Sequence, residues 1–444
     1  GYLGPYEFLE FNTEVGPGGE QLPPIESMRR MMPKEDLWPI SASWDLRLWE
    51  RQSPQSRRAL YARYGQPRDL EEYTMRSQVF QKEAMRAMME AFTKNKYQAS
   101  GILIYRLNTG WPALCYQLYD YYLRPNGAFY GIQQASEPLH VQYSYDDNSI
   151  FVINSLYQSF EGLKVTARVY DNDMRELYAR TETMDIGSDG NKPAFTLPPV
   201  QNPTPVYFLK LELEDSQGNL VSSNFYWFSS KGDQEADFRA LMDLPPVRLA
   251  VTGTYEEKGA EGIVRVHLEN PTDDLAFFVN PSIIKGLHGE EVLPVFWSAN
   301  TISLVPGESR DLTVTFDRLH MGGTKPHLMV EGWNVIPQEL TLDEGNRDVT
   351  PALRYLDINV PRRVKAGEPF EISATIIHKA TSGEGVIKDR KYVMIDGQPA
   401  GYRRVALAPG EVKRLVWSDN RITKPGRHTV TVGDLSPVSL RVEP

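Results

Sequence analysis

At 444 residues the chain exceeds one ordinary domain; ~100–200 residues per domain would give three or four, each able to bury its own core. Its 41% hydrophobic and 24% charged residues are those of a folded protein, and a formal net charge of −10 without a concentrated acidic tail argues against nucleic acid as a partner. One cysteine, Cys115, excludes an intrachain disulfide and a cysteine-based zinc site, and no apolar run approaches the ~18 residues of a membrane-spanning helix.

The start, Gly1-Tyr2-Leu3, has neither an initiator methionine nor the basic and apolar regions of a signal segment. It reads as the last part of a strand, so the chain is expected to be a mature product, a cleaved piece or an incomplete one. The run Tyr6–Val15 that follows is apolar with a carboxylate near its end, and Gly16-Pro17-Gly18-Gly19 continues it as a loop. An α/β barrel presents catalytic acids at the carboxyl ends of its strands in this way. Glu14 is therefore the candidate catalytic residue, and Glu10, on the same run, is expected to point away from it.

Pro23-Pro24 opens a short helix over 25–32, which Pro33 stops. A polar stretch with Trp38, Trp44 and Trp49 precedes Asp69-Leu70-Glu71-Glu72, a start resembling a capping box. Leu70, Tyr73, Phe80, Ala84, Met88 and Phe92 recur at three- and four-residue steps, predicting a helix over 69–95 with one apolar stripe and a charged opposite face. This is a packing helix, and its methionines are core filler. Residues 101–108 read as a buried strand ending at Thr109-Gly110-Trp111-Pro112; the aromatic-rich segment 113–122 is expected to be helical, and 124–127 a turn.

From Pro138 the texture changes. Residues 140–145, 150–154, 163–170 and 206–213 are period-two runs separated by turn residues, the pattern of a β-sandwich. The charged link 231–235 and Pro245-Pro246 precede a second such set, and a third begins near Pro351. Val305-Pro306-Gly307-Glu308 and Ala408-Pro409-Gly410-Glu411 form a weak repeat, each predicting a type II turn before a strand. The expected divisions are 1–136, 137–232, 245–340 and 351–444.

Several motifs occur in the order seen in a known family: Phe11-Asn12-Thr13-Glu14-Val15-Gly16-Pro17-Gly18, Ser27-Met28-Arg29-Arg30-Met31-Met32-Pro33, Leu37-Trp38-Pro39-Ile40 and Asn95-Lys96-Tyr97. Trp111-Pro112-Ala113-Leu114, Gln117–Leu123, Glu137–Tyr143 and Glu291–Ser298 continue the likeness to about residue 340. The chain resembles glycoside hydrolase family two, most of all its exo-β-D-glucosaminidase branch, with plant endo-β-mannosidases as relatives. The last segment resembles a generic immunoglobulin-like adhesion module.

The resemblance implies a multidomain α/β plus all-β protein: the carboxyl-terminal part of a (β/α)8 TIM barrel in 1–136, followed by three immunoglobulin-like β-sandwiches. It implies a retaining exo-β-glycosidase acting on an oligosaccharide, with Glu14 on the nucleophile position and the acid/base on an earlier barrel strand that no part of this chain resembles. In a retaining enzyme the two carboxyl groups stand ~5–5.5 Å apart. The amino-terminal half of the same enzyme is thus the implied partner, and this chain alone is expected to be inactive. Within the class β-mannosidase activity is the alternative; outside it, a noncatalytic carbohydrate-binding or adhesion protein.

The implied sugar contacts are Trp44, Tyr105 and Asn108, with Asp45 behind them; Trp111 reads as a core residue. The chain departs from its relatives at Trp44-Asp45-Leu46-Arg47, where they tend to have Trp-Asp-Phe-His, and at Tyr105, where they have tryptophan. A cation at Arg47 beside the sugar disfavours a charged amine. The seven histidines show no ligand spacing and no phosphate loop is present, so no metal or other cofactor is expected. Neither is a membrane partner, and an extracellular or periplasmic location is the expectation for such an enzyme.

Overall fold

The structure, a computed structural model, describes residues 11–16, 21–48, 54–342, 345–349, 353–378, 386–408, 410–433 and 435–444. The chain divides into two compact units, one of residues 1–244 with 273–278 and 299–306, the other of 245–272, 279–298 and 307–444.

The first unit begins with β1 (Phe11–Val15), followed by α1 (Ile25–Met31), α2 (Lys34–Leu37), α3 (Ala42–Asp45), α4 (Pro54–Tyr64), α5 (Leu70–Lys94), β2 (Gly101–Ile104) and α6 (Gly127–Ala135). β1 and β2 pair in parallel, which is possible because the intervening helices carry the chain back across the sheet. α5 starts where expected: the Asp69 carboxylate accepts the Glu72 amide at 2.9 Å, satisfying an otherwise orphaned donor. α6 is capped by Asn126, whose Oδ1 accepts the Phe129 amide at 3.0 Å. Its Gly127 and Gly131 allow the backbones of α5 and α6 to touch. A Cβ at Gly127 would lie 2.0 Å from the Gln78 carbonyl oxygen, and one at Gly131 2.6 Å from that of Lys82.

Two local expectations change. Residues 113–122 are not helical, because their amides are taken by the segment just before them: Leu118 and Tyr119 donate to the Leu107 carbonyl at 3.0 and 2.8 Å. The helix lies instead at Gly127–Ala135, across the predicted turn. The charged face of α5 is not solvated either. Glu72, Arg76, Lys82, Glu83, Arg86 and Glu90 are all buried: Arg86 and Glu90 meet Asn224 and His140 of a β-sandwich of the same unit, while Glu72 pairs with Arg68 and Arg76, Glu83 meets Tyr64, and Lys82 donates to the Thr301 carbonyl.

Among the described residues that sandwich has a three-stranded sheet of β3 (Leu139–Tyr143), β4 (Ser149–Asn154) and β7 (Asn191–Thr196). Its second sheet runs β6 (Glu176–Ile186), β5 (Phe160–Tyr170), β8 (Val206–Glu214) and β9 (Leu220–Ser229). All neighbours are antiparallel, and alternate residues such as Val141, Val152, Val165, Leu209 and Leu211 fill the space between the sheets.

In the second unit Ala250–Lys258, Glu261–Glu269 and Ser309–Asp317 form one antiparallel sheet, and Pro326–Glu331 joins Gln338–Thr341 in another. Beyond them, Arg354–Asn359, Phe370–Ile377 and Val412–Asn420 face a sheet built from Arg363–Lys365, Val438–Glu443, Gly426–Val432, Ile387–Ile395 and Gln398–Leu407. Ile372, Ala374, Val393, Trp417 and Val430 lie in the shared core. The turns expected at Gly307 and Gly410 place both glycines at φ +74°, each just before a strand.

Candidate active site

The carboxyl ends of β1 and β2 set two of the expected residues, Glu14 and Tyr105, beside each other. Asn12 pairs with Ile102 and Val15 with Ile104, so Thr13 and Glu14 stand opposite Leu103 alone. This local irregularity re-aims the strand end, as bulges beside functional sites do. Glu14 is exposed, and its amide donates to Asn12 Oδ1 at 3.2 Å. The Tyr105 amide donates to the Val15 carbonyl at 2.8 Å, extending the pairing past β2 and setting residue 105 beside the Glu14 turn.

The two faces of this parallel pair differ. Ile104 packs among Met85 of α5, Ala128 of α6 and Leu118 of the loop after β2. Phe11, Leu103, Tyr105 and Leu107 are exposed at 49%, 53%, 37% and 60%, together with Thr13 and Glu14. A parallel sheet ordinarily has both faces covered. Here the uncovered side carries a carboxylate, a tyrosine ring and, in the following loop, exposed Asn108.

Arg106 joins Tyr105 here: its guanidinium lies 4.4 Å from the centroid of the Tyr105 ring and donates to the Tyr105 hydroxyl. Tyr116 lies beside Gly16, its ring 3.6 Å from where a Cβ would stand, and its carbonyl accepts the Arg106 amide at 3.0 Å. No periodic signal reveals either residue, because both reach the site through the irregular loop after β2. That loop is held from within: Thr109 Oγ1 lies 2.8 Å from Gln117 Oε1, and Gln117 Nε2 donates to the Ala113 carbonyl at 3.1 Å.

Trp44 does not join them. It is 2% exposed, its indole N–H donates to the Asp36 carbonyl at 3.0 Å, and its ring stacks on Tyr73 at 6.0 Å. The Ser41 cap of α3 turns this ring inward, and a ring enclosed by its own chain has no face to offer a sugar. Asp45 is exposed, and Arg47 sits at the same loop: its backbone carbonyl accepts the Leu114 amide at 2.7 Å and its guanidinium faces the Pro112 carbonyl at 3.5 Å. Trp111 is half-buried, and Glu10 lies outside the described residues.

The family model described as the exo-β-D-glucosaminidase Ig-fold domain matches residues 227–335, and that of the mannosidase Ig/CBM-like domain matches 146–231. An exo-β-D-glucosaminidase of Amycolatopsis orientalis is 32% identical over 364 residues, covering 75% of this chain and 35% of that protein. The chain is a homologue of the exo-β-D-glucosaminidases. Its likeness to this branch of glycoside hydrolase family two covers about 74% of its length. Another exo-β-D-glucosaminidase, from Streptomyces avermitilis, is 33% identical over 365 residues, 74% of this chain and 40% of that one. The chain thus spans well under half the length of these relatives. The solved exo-chitosanase CsxA of Amycolatopsis orientalis, in complex with PNP-β-D-glucosamine, aligns with a TM-score of 0.68 at 30% identity, covering 74% of this chain and 42% of that one.

Proposed function

We propose that this chain is the nucleophile-bearing part of a retaining exo-β-glycosidase, with β-linked glucosamine at a chain end as its substrate. The observation that carries this reading is the exposed Glu14 at an irregular strand end beside the Tyr105 ring, in a homologue of exo-β-D-glucosaminidases. On this reading β1 and β2 are the last two strands of a (β/α)8 barrel, and Phe11, Leu103 and Leu107 belong to its interior. Covering them would remove apolar surface from water at ~25 cal/mol per Å².

In the proposed reaction the Glu14 carboxylate attacks the anomeric carbon as a second carboxyl group protonates the departing oxygen. The covalent glycosyl ester is then hydrolysed by water that the second group deprotonates. That second group is supplied by polypeptide outside residues 1–444. Tyr105 offers its ring to the apolar C–H face of the pyranose, Arg106 holds the Tyr105 hydroxyl, and Asn108 hydrogen-bonds the sugar from the loop. The match of residues 146–231 to a mannosidase domain favours a β-mannoside as the second substrate to try.

An activated 2-fluoro glycoside, incubated with the complete enzyme and followed by peptide mass spectrometry, labels Glu14; Glu14→Gln removes the label. Label on any other carboxylate refutes the assignment. Residues 1–444 by themselves give no turnover of aryl β-glucosaminides or mannosides, and measurable turnover would show that the second carboxyl group lies within this chain.

A further inference from the structure

The loops at the amino end of β2, the opposite end of that strand from Tyr105, hold two aromatic rings in water. Tyr97, in the turn after α5, is 69% exposed, and Tyr157, between β4 and β5, is 93% exposed. Neither ring contributes a core contact, and the reaction proposed at Glu14 uses neither.

Both loops are fixed. Asn154 is fully buried; its Nδ2 donates to the carbonyls of Gln158 and Gly187, each at 2.7 Å, and its Oδ1 accepts the Leu156 amide at 3.0 Å. The Asp189 amide donates to the Leu156 carbonyl at 2.8 Å, tying the β6–β7 turn to the same loop. From the helical side Lys96 is ion-paired with Asp189 and donates to the Asn154 carbonyl at 3.2 Å. The Tyr97 hydroxyl donates to the backbone and carboxylate oxygens of Asp189. The Tyr97 hydroxyl is thus joined through Asp189 to the Leu156 carbonyl, next to Tyr157 in sequence, which puts both rings in one surface region.

A tyrosine loses only two rotatable angles on contact and presents a flat apolar face with a polar tip. Two of them on pinned loops, flanked by an ammonium and a carboxylate, match the alternation of C–H faces and hydroxyls along a sugar polymer. We infer that Tyr97 and Tyr157 form a second carbohydrate-binding site, which holds the polysaccharide whose terminal residue is cleaved at Glu14. The ligand class rests on the glycosidase reading. It agrees with the match of this sandwich to an Ig/CBM-like family model, and the polar flanks favour a glycan over an aliphatic protein surface.

The test uses the complete enzyme in native gels containing soluble chitosan or galactomannan. Its migration is retarded by at least one of the polymers, and Tyr157→Ala weakens the retardation about fivefold, as expected for one lost stacking contact. Turnover of a small aryl β-glycoside by the variant stays within about twofold of the parent, because the ring lies outside the reaction site. Equal retardation of the parent and the Tyr97→Phe/Tyr157→Ala variant would overturn the inference, as would no retardation of the parent by either polymer. Self-association that Tyr157→Ala abolishes would assign the rings to a second copy and also overturn it. Retardation that depends on Tyr157 in an enzyme inactive on every glycoside would refute the reaction at Glu14 and leave this site standing.

Discussion

Replacing His140 by glutamine isolates the charge at the centre of a buried network between α5 and the first sandwich. His140 Nε2 lies 3.2 Å from Glu90 Oε1 and its Nδ1 3.0 Å from Glu137 Oε2, so both ring nitrogens face carboxylates. Glu90 also accepts from Asn224 Nδ2 at 2.6 Å and from the Tyr226 hydroxyl at 2.9 Å, while Arg86 lies 4.1 Å above the Tyr226 ring. Burial alone would push the imidazole down, but the hydrogen bonds and charges of Glu137 and Glu90 outweigh it and raise the histidine to about 9 from 6.5. At 1.36 kcal/mol per pH unit this preference for the imidazolium is worth roughly 3 kcal/mol. Because the folded value lies above the unfolded one, the contribution is complete below pH 6.5 and disappears as pH rises through 9. His140→Gln therefore lowers the unfolding free energy by about 3 kcal/mol at pH 6 and by much less at pH 9.5. Urea unfolding of parent and variant at the two pH values, followed by near-ultraviolet circular dichroism, reads the difference directly. An equal loss at both would show that the network acts through packing and that its charge is immaterial.

Glu83 titrates in the same core. Burial raises it to about 7 from 4.5 against the pull of Arg63 and Arg86, so stability falls as pH climbs through that interval. Glu83→Gln is expected to be more stable than the parent at pH 8, by up to about 3 kcal/mol, and to match it below pH 4.5; chemical denaturation at both values checks this. Gly131→Ala forces a methyl group against the Lys82 carbonyl, and a loss of about 3 kcal/mol or failure to express solubly follows, measured by the melting temperature against Ala128→Gly. Trp44→Phe and Tyr105→Ala should separate core from site. The first removes the indole hydrogen bond to Asp36, lowering stability by about 1–3 kcal/mol with KM unchanged; the second lowers kcat/KM at least tenfold with stability changed by about 0.5 kcal/mol or less.

The alternating runs, the Asp69 cap and the Pro-Gly turns were readable without coordinates because each depends on neighbours within a few residues. So was Glu14 as a candidate, since a carboxylate placed between an apolar run and a Gly/Pro loop is a local pattern, and the family motifs around it are contiguous. Residues 113–122 misled because aromatic residues suit either a helix or a packed loop, and here the Leu107 carbonyl captured the amides a helix would have used. Trp44 shows the same limit for a site: its position in the sequence allowed a sugar platform or a core ring, and only its stacking on Tyr73 decided between them. For α5, periodicity determined which residues share a face, while the fold alone decided that the carboxyl-terminal part of the charged face lies under the sandwich, with His140 and Asn224 as partners of Glu90. Side-chain period is a property of the local backbone; what covers a face, and whether its charges are hydrated or paired, depends here on residues 50 and 134 positions from Glu90.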